Sequence, residues 1–288
     1  MNEKIFEQLA ELALSFGKLG IKPVICGGLG VYLCFYQQAA EAGEILRVTT
    51  DVDLMLTKSQ VLPQSQREAI AEIITGELNY VVSQGGQCFR FEKSPDLKLD
   101  ILTPLIKGLK TEGGRTKLVK ARLHGRLAPE AEFIEEDLRA VSLSYFLPRY
   151  QKTMGMEVHV PAPTNMFIMK LFAFDDRDGA IRKNQEHAQA HAWDIYTAIT
   201  LTNRNDYLEG QNFLSRHKDS EIIQRAKSIV AGKFSAVAPP GWQYLLAASS
   251  FYPNSNIAQK RQKLNEAARR LARWFDIPED IKRGHPKV

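Results

Sequence analysis

No stretch of this sequence stays apolar for the roughly 18 to 20 residues that a membrane-crossing helix needs, so no transmembrane helix is expected. Cysteine is scarce. The three residues Cys26, Cys34 and Cys88 are odd in number, lack metal-ligand spacing and sit in apolar segments. This excludes a disulfide framework and a cysteine-held zinc, and suits buried thiols in a reducing cytoplasm. Repeats of fixed period and low-complexity blocks are also lacking, which excludes solenoids and disordered tracts. The opening residues MNEKIFEQLAELALSFGKLG carry scattered acids and no uninterrupted apolar run, so a secretory signal is not expected and the location read from the sequence is cytoplasmic.

What remains is an ordinary globular composition, 44% hydrophobic and 25% charged over 288 residues, a length that favours two domains over one. The net charge of +5 is unevenly placed: residues 254–288 hold nine Lys or Arg against four Asp or Glu, and 9 − 4 = 5 is the whole surplus. In that tail Lys260, Arg261, Lys263, Arg269, Arg270 and Arg273 share a predicted helix with an apolar stripe of Leu264, Ala268, Leu271 and Phe275. Such a face is solvated, and it also suits an RNA acceptor, whose affinity rests on phosphate neutralisation.

Strand and helix patterns mix in the first half. The spacing of Ile5, Leu9, Leu12 and Phe16 predicts a helix over 3–17. An apolar strand at 24–26 runs through a Gly27-Gly28 turn into a helix near 29–38. Alternation predicts a strand from Asp51, a helix over 65–76 and strands at 80–83, 87–92 and 97–102, joined by the turns 84–86 and 94–96. More short strands follow to about residue 160. Helical periodicity then takes over at 163–177, 184–203, 205–232 and 255–275. Pro161 and Pro163 mark the change. The expected class is α+β, with a mixed sheet flanked by helices in domain 1–160 and an all-helical domain at 161–288 that closes the cleft.

The chemistry points to Asp51-Val-Asp53. Asp-x-Asp alone is weak, and a second copy, Asp176-Arg-Asp178, reads as a solvated turn at a helix end. The first pair differs in its setting, opening an apolar strand after a strand, a Gly-Gly turn and a helix. Two carboxylates two residues apart on a strand face one way, and Asp100, between Leu99 and Ile101 on a later strand, can join them. Oxygen ligands of this kind suit magnesium, and a pair of ions roughly 4 Å apart would neutralise a triphosphate and activate an attacking hydroxyl.

Gly27-Gly28, Arg47-Val-Thr-Thr-Asp51-Val-Asp53-Leu and Leu99-Asp100-Ile together resemble the nucleotidyltransferase superfamily, which has a polymerase-beta-like fold, and most of all its AbiEii-like toxin group. The 22 residues between Gly28 and Asp51 exceed the spacing of compact members. The resemblance implies that Gly27 and Gly28, with Arg47, hold a nucleoside triphosphate. It also implies that Asp51, Asp53 and Asp100 bind two magnesium ions, with Asp100 as ligand or base. An RNA such as transfer RNA is the implied acceptor, and a toxin of this kind would have an antitoxin protein as partner.

The resemblance extends to Lys170 in Phe167–Phe174 and to His191-Ala-Trp-Asp194-Ile-Tyr196. It makes Lys170 a triphosphate contact and Asp194 its orienting partner or a contact to base or ribose, with His191 where an acid is common. Other readings stand beside these. Lys170 can snorkel at a helix edge, Asp194 can pair with any nearby base, and Arg47 can simply precede the strand. His187 and His191, four apart without a third ligand, read as surface histidines. Two rival functions remain open: transfer to a small acceptor such as an aminoglycoside, and a silent fold that binds nucleotide or a partner.

Overall fold

Period-two burial builds the first part of the molecule and period 3.6 the second, giving an α+β protein. The computed structural model describes residues 3–47, 49–85, 87–94, 97–120, 122–147, 155–178 and 185–278. The expected turns at 84–86 and 94–96 and the end of the basic tail therefore lie partly outside the described residues. The chain divides into two compact units, Met1–Tyr36 with Val48–Asn165 and Gln37–Arg47 with Met166–Val288. Arg47 thus groups with the helical residues.

In the first unit, α1 (Glu3–Gly17) buries Ile5, Leu9, Leu12 and Phe16, and leads to the buried strand β1 (Val24–Cys26). Next come α2 (Gly27–Ala42), which runs on into the second unit, β2 (Asp51–Met55), α3 (Lys58–Val61) and α4 (Gln64–Glu72). The helix expected over 65–76 is α4 followed by a π-helical turn, Ile73–Glu77, whose Glu77 is held by Ser15 and Lys18 of α1 and the residue after it. The remaining strands are β3 (Val81–Val82), β4 (Arg90–Ser94), β5 (Leu97–Thr103), β6 (Thr111–Glu112), β7 (Arg115–Val119), β8 (Leu123–Leu127), β9 (Arg139–Ser142) and β10 (Glu157–Val160).

The ten strands among the described residues join one mixed sheet ordered β6-β7-β8-β5-β2-β1-β10-β9, with β4 and then β3 branching from β5. The branch is possible because β4 pairs with the first part of β5, while β8 pairs only with Leu102 and Thr103 at its end. Strands β2 and β5 are parallel, and Val52, Leu54, Leu99 and Ile101 send their side chains to one fully buried face. The polar residues between them therefore share the other face.

The second unit is helical: α5 (Pro163–Asp178), α6 (Gln185–Leu201), α7 (Arg204–Arg216), α8 (Glu221–Lys233), α9 (Pro240–Ala247) and α10 (Ile257–Trp274). The single helix expected over 205–232 is two. Ser220 breaks it by accepting a hydrogen bond from the Ile222 amide, a side-chain cap that starts α8 afresh. Helix α9 was not anticipated, since its eight residues are too short a window for periodicity. It packs Trp242 against Phe234 of the segment after α8, and Phe234 meets Phe174 edge-on at 4.7 Å.

Candidate functional site

The sheet register brings the first set of carboxylates together. Cys26 of β1 stands opposite Asp53 of β2, Asp53 opposite Asp100 of β5, and Asp100 opposite Arg90 of β4. One row thus crosses four strands, and residues opposite one another in a sheet point to the same face. A second row, Asp51, Lys98 and Glu92, runs beside it on that face, two residues away along each strand. Asp51 is exposed, Asp53 half-buried and Asp100 buried at 7%. Four acids and two bases make this face polar, whereas the opposite face carries the buried Val52, Leu54, Phe91, Leu99 and Ile101.

Gly27 is required where it stands. It opens α2 with φ +65°, a left-handed backbone that favours glycine, and a Cβ there would overlap the Asp53 carboxylate. Gly28 follows in the first turn of the helix and is buried. Gly30 lets α2 approach β1, since a Cβ would lie 2.6 Å from the Ile25 carbonyl oxygen. A carboxylate set against a helix start is electrostatically favoured, because unpaired N–H groups and the helix dipole both present positive charge there.

Arg90 was not foreseen as a site residue. Its guanidinium donates to both Asp100 oxygens, Nε to Oδ1 at 2.8 Å and Nη2 to Oδ2 at 2.6 Å. The pKa of Arg90 is raised, first by that hydrogen bond and then, against the cost of burial, by the charges of Asp100, Asp51 and Asp53. A bidentate arginine occupies the same side of a carboxylate that a cation would. Its sequence signal is faint: Arg90 lies within the strand expected at 87–92, but only the antiparallel register reveals what it faces. Lys98 carried a clearer sign, lying two residues before Asp100 on one strand.

As they stand, no three His, Cys, Asp or Glu side chains among the described residues converge to hold a metal. The donors are nonetheless all hard oxygens, which fits magnesium rather than zinc or copper. Magnesium keeps several waters and commonly takes one or two carboxylates plus substrate phosphates, a requirement that adjacent Asp53 and Asp100 can meet.

Lys170, Asp194 and Arg47 form a second cluster, within the helical unit. Asp194 of α6 accepts from Lys170 Nζ of α5 at 2.6 Å and from Arg47 Nε and Nη2, both at 3.0 Å. Lys170 and Asp194 side chains are 8% and 2% exposed, and that of Arg47 28%. Burial alone would push the Asp194 carboxyl up, but Lys170 and Arg47 hold it down at about 2. Lys170 does not snorkel to solvent. Arg47 is the member of this cluster that solvent reaches.

His191, about one turn before Asp194 on α6, is half-buried rather than a surface histidine. Its Nδ1 is sealed without a partner among the described residues, and burial, then Lys170, pushes its pKa down to about 3. His187 is exposed, as expected. Asp178 also departs from a solvated turn: it accepts from Lys233 at 2.8 Å and from the Tyr244 hydroxyl at 3.1 Å, tying α5 to α8 and α9. Along α6, a cavity of about 200 Å³ is lined by Glu44, Trp193, Tyr196 and Tyr252, and Glu44 accepts from the Tyr252 hydroxyl. No helix among the described residues is long and apolar enough to cross a membrane. The chain matches no protein-family model, no curated protein and no solved structure.

Proposed function

We propose that the chain is a magnesium-dependent nucleotidyltransferase that moves a nucleoside monophosphate from a nucleoside triphosphate to an acceptor hydroxyl and releases pyrophosphate. The observation that carries this reading is the register of Asp53 beside Asp100, with Asp51 on the same face and the Asp53 carboxylate set against Gly27 at the start of α2. Asp51, Asp53 and Asp100 would hold two magnesium ions, which supply charge neutralisation and a more acidic acceptor hydroxyl. The Gly27-Gly28 start of α2 offers backbone donors to phosphate oxygens. Asp100 accepts the hydroxyl proton once Arg90 turns away from it, and the released guanidinium then offers two donors to a phosphate. Within the helical unit, Lys170 holds Asp194 and so fixes the orientation of Arg47.

An RNA such as transfer RNA is the acceptor this reading favours. Arg261, Arg269, Arg270 and Arg273 stand exposed on α10 around its buried face of Leu264, Ala268 and Leu271, a surface suited to phosphates. Incubation with each α-labelled triphosphate, magnesium and total cellular RNA tests the proposal. Labelled RNA from the native chain and none from Asp53→Ala is expected; label on no acceptor, aminoglycosides included, sinks it.

The Arg90–Asp100 pair favours a second reading, a silent fold that binds nucleotide without transfer, because the third carboxylate is already neutralised. Triphosphate binding by calorimetry, with no transfer by either the native chain or Arg90→Gln, would select it.

A further inference from the structure

The carboxylate face of the sheet continues into a basic stripe. Leu102 of β5 stands opposite Arg126 of β8, and Arg126 opposite Arg115 of β7; two residues along, His124 stands opposite Lys117. Asp100 and Leu102 share a face of β5, as do His124 and Arg126 on β8. Arg115, Lys117, His124 and Arg126 therefore lie on the same face as Asp53 and Asp100.

Three features of this stripe are costly for the protein alone. Arg115 and Arg126 are like charges directly opposite in an antiparallel pair, an arrangement that destabilises a sheet. Neither forms an ion pair among the described residues. Glu112, opposite Arg115, is held by Lys117 at 2.6 Å and lies 3.7 Å from Lys110. His124 is 6% exposed, yet both ring nitrogens lack a partner among the described residues, as does the buried Nε of Arg115. Buried polar groups are normally hydrogen-bonded, and each one left unpaired is costly.

We propose that Arg115, His124 and Arg126 form a binding site for a phosphate or pyrophosphate group. One anion would ease all three costs: it would screen the two arginines from each other, receive the Arg115 Nε–H and accept from one nitrogen of the imidazole. Arginine forks match phosphate oxygens in pairs, and the position on the carboxylate face places the anion where a transfer reaction handles phosphates. The idea deepens the proposed transfer reaction and rests on it only for the source of the anion, which is the triphosphate tail or an RNA backbone phosphate.

The test is calorimetric titration of the full chain, without magnesium, with pyrophosphate, a nucleoside triphosphate and a short oligoribonucleotide lacking a terminal phosphate. Pyrophosphate is expected to bind and to lose about tenfold or more in affinity with Arg126→Gln, the loss of one hydrogen-bonded charge. Arg115→Gln should act alike and serves if the first variant does not fold; His124→Phe should weaken binding while keeping the fold. Without ligand, Arg126→Gln should melt higher than the native chain, a gain that a merely structural arginine would not give. Triphosphate losses that parallel those of pyrophosphate assign the site to the nucleotide, and parallel oligoribonucleotide losses assign it to RNA. Unchanged pyrophosphate affinity in both arginine variants, or a lower ligand-free melting temperature for Arg126→Gln, overturns the proposal. Absent transfer by the native chain, with arginine-dependent pyrophosphate binding intact, would defeat only the transferase reading.

Discussion

The two charged clusters of this protein solve the problem of holding an acid in opposite ways. On the sheet, Asp51, Asp53 and Asp100 pass from exposed to half-buried to buried, and an arginine that is itself half exposed is hydrogen-bonded to the last. Among the helices, Asp194 is sealed and shared between two cations. Acids left open to solvent cost the fold little and remain available to ligands, whereas a sealed acid with two partners is committed to structure. The difference separates residues whose loss should stop a reaction from residues whose loss should unfold a unit.

The largest effect should follow from breaking the sealed cluster. Asp194→Ala leaves Lys170 and Arg47 without their counter-charge, and removing one partner of a buried ion pair costs about 3–5 kcal/mol. Chemical denaturation followed by circular dichroism should reveal that loss, concentrated in the helical signal. A change no larger than a surface ion pair gives would place Asp194 with the open acids instead.

Acid should attack the same cluster. The folded pKa of His191, at about 3, lies below its ordinary 6.5, so between these values the unfolded chain binds a proton that the folded chain does not. Stability is full above 6.5 and falls as pH drops through that window. Asp194, held at about 2 against an ordinary 3.8, acts in the same direction lower down, its stabilisation being lost as pH falls below 3.8. Unfolding free energies from denaturation at pH 7 to 4 should decline by a few kcal/mol. With His191→Phe the decline between 6.5 and 4 should flatten.

Local periodicity made much of this legible in the sequence. Strand 24–26, the helix after Gly27-Gly28, the strand from Asp51 and the helices 3–17 and 163–177 all follow from spacing that neighbouring residues determine. The Asp53–Asp100 pairing was only an expectation, since register depends on residues far apart in the chain. Arg90, Arg115 and Arg126 were illegible for the same reason: each is an ordinary strand arginine until the register places it opposite an acid or another arginine. The burial of His191 was hidden differently. A histidine four residues after another on a helix reads as exposed, and only the packing of α5 beside α6 half-buries it and seals its Nδ1. The break between α7 and α8 lay in one serine, a weaker signal than the helical periodicity on both sides of it.

Gly27 sharpens the comparison at the point where the open cluster touches the backbone. Gly27→Ala should cost about 1–3 kcal/mol, the range for a residue forced into a sparsely populated conformation. Part of that cost is steric and belongs to Asp53. In an Asp53→Ala background the same substitution should therefore cost less, and a double-mutant cycle by thermal melting measures the coupling. Additive effects would mean that the Asp53 carboxylate does not press on Gly27.

Asp51 should give the smallest change in stability and the clearest separation of structure from function. Its side chain is exposed, it opens β2, and its recorded hydrogen bond is a long 3.4 Å contact from Thr50. Substitution of such a surface residue stays within about 0.5 kcal/mol. If the carboxylate face carries the proposed transfer, Asp51→Asn should nonetheless lower transfer by more than the roughly 10- to 100-fold that losing an outer partner of a metal ligand costs. Asparagine keeps the shape and one oxygen but removes the charge that a hard cation requires, so raising magnesium should recover part of the rate. Full activity in a stable Asp51→Asn chain would move the chemistry away from β2, and loss of stability together with activity would erase the contrast between an open acid and a sealed one.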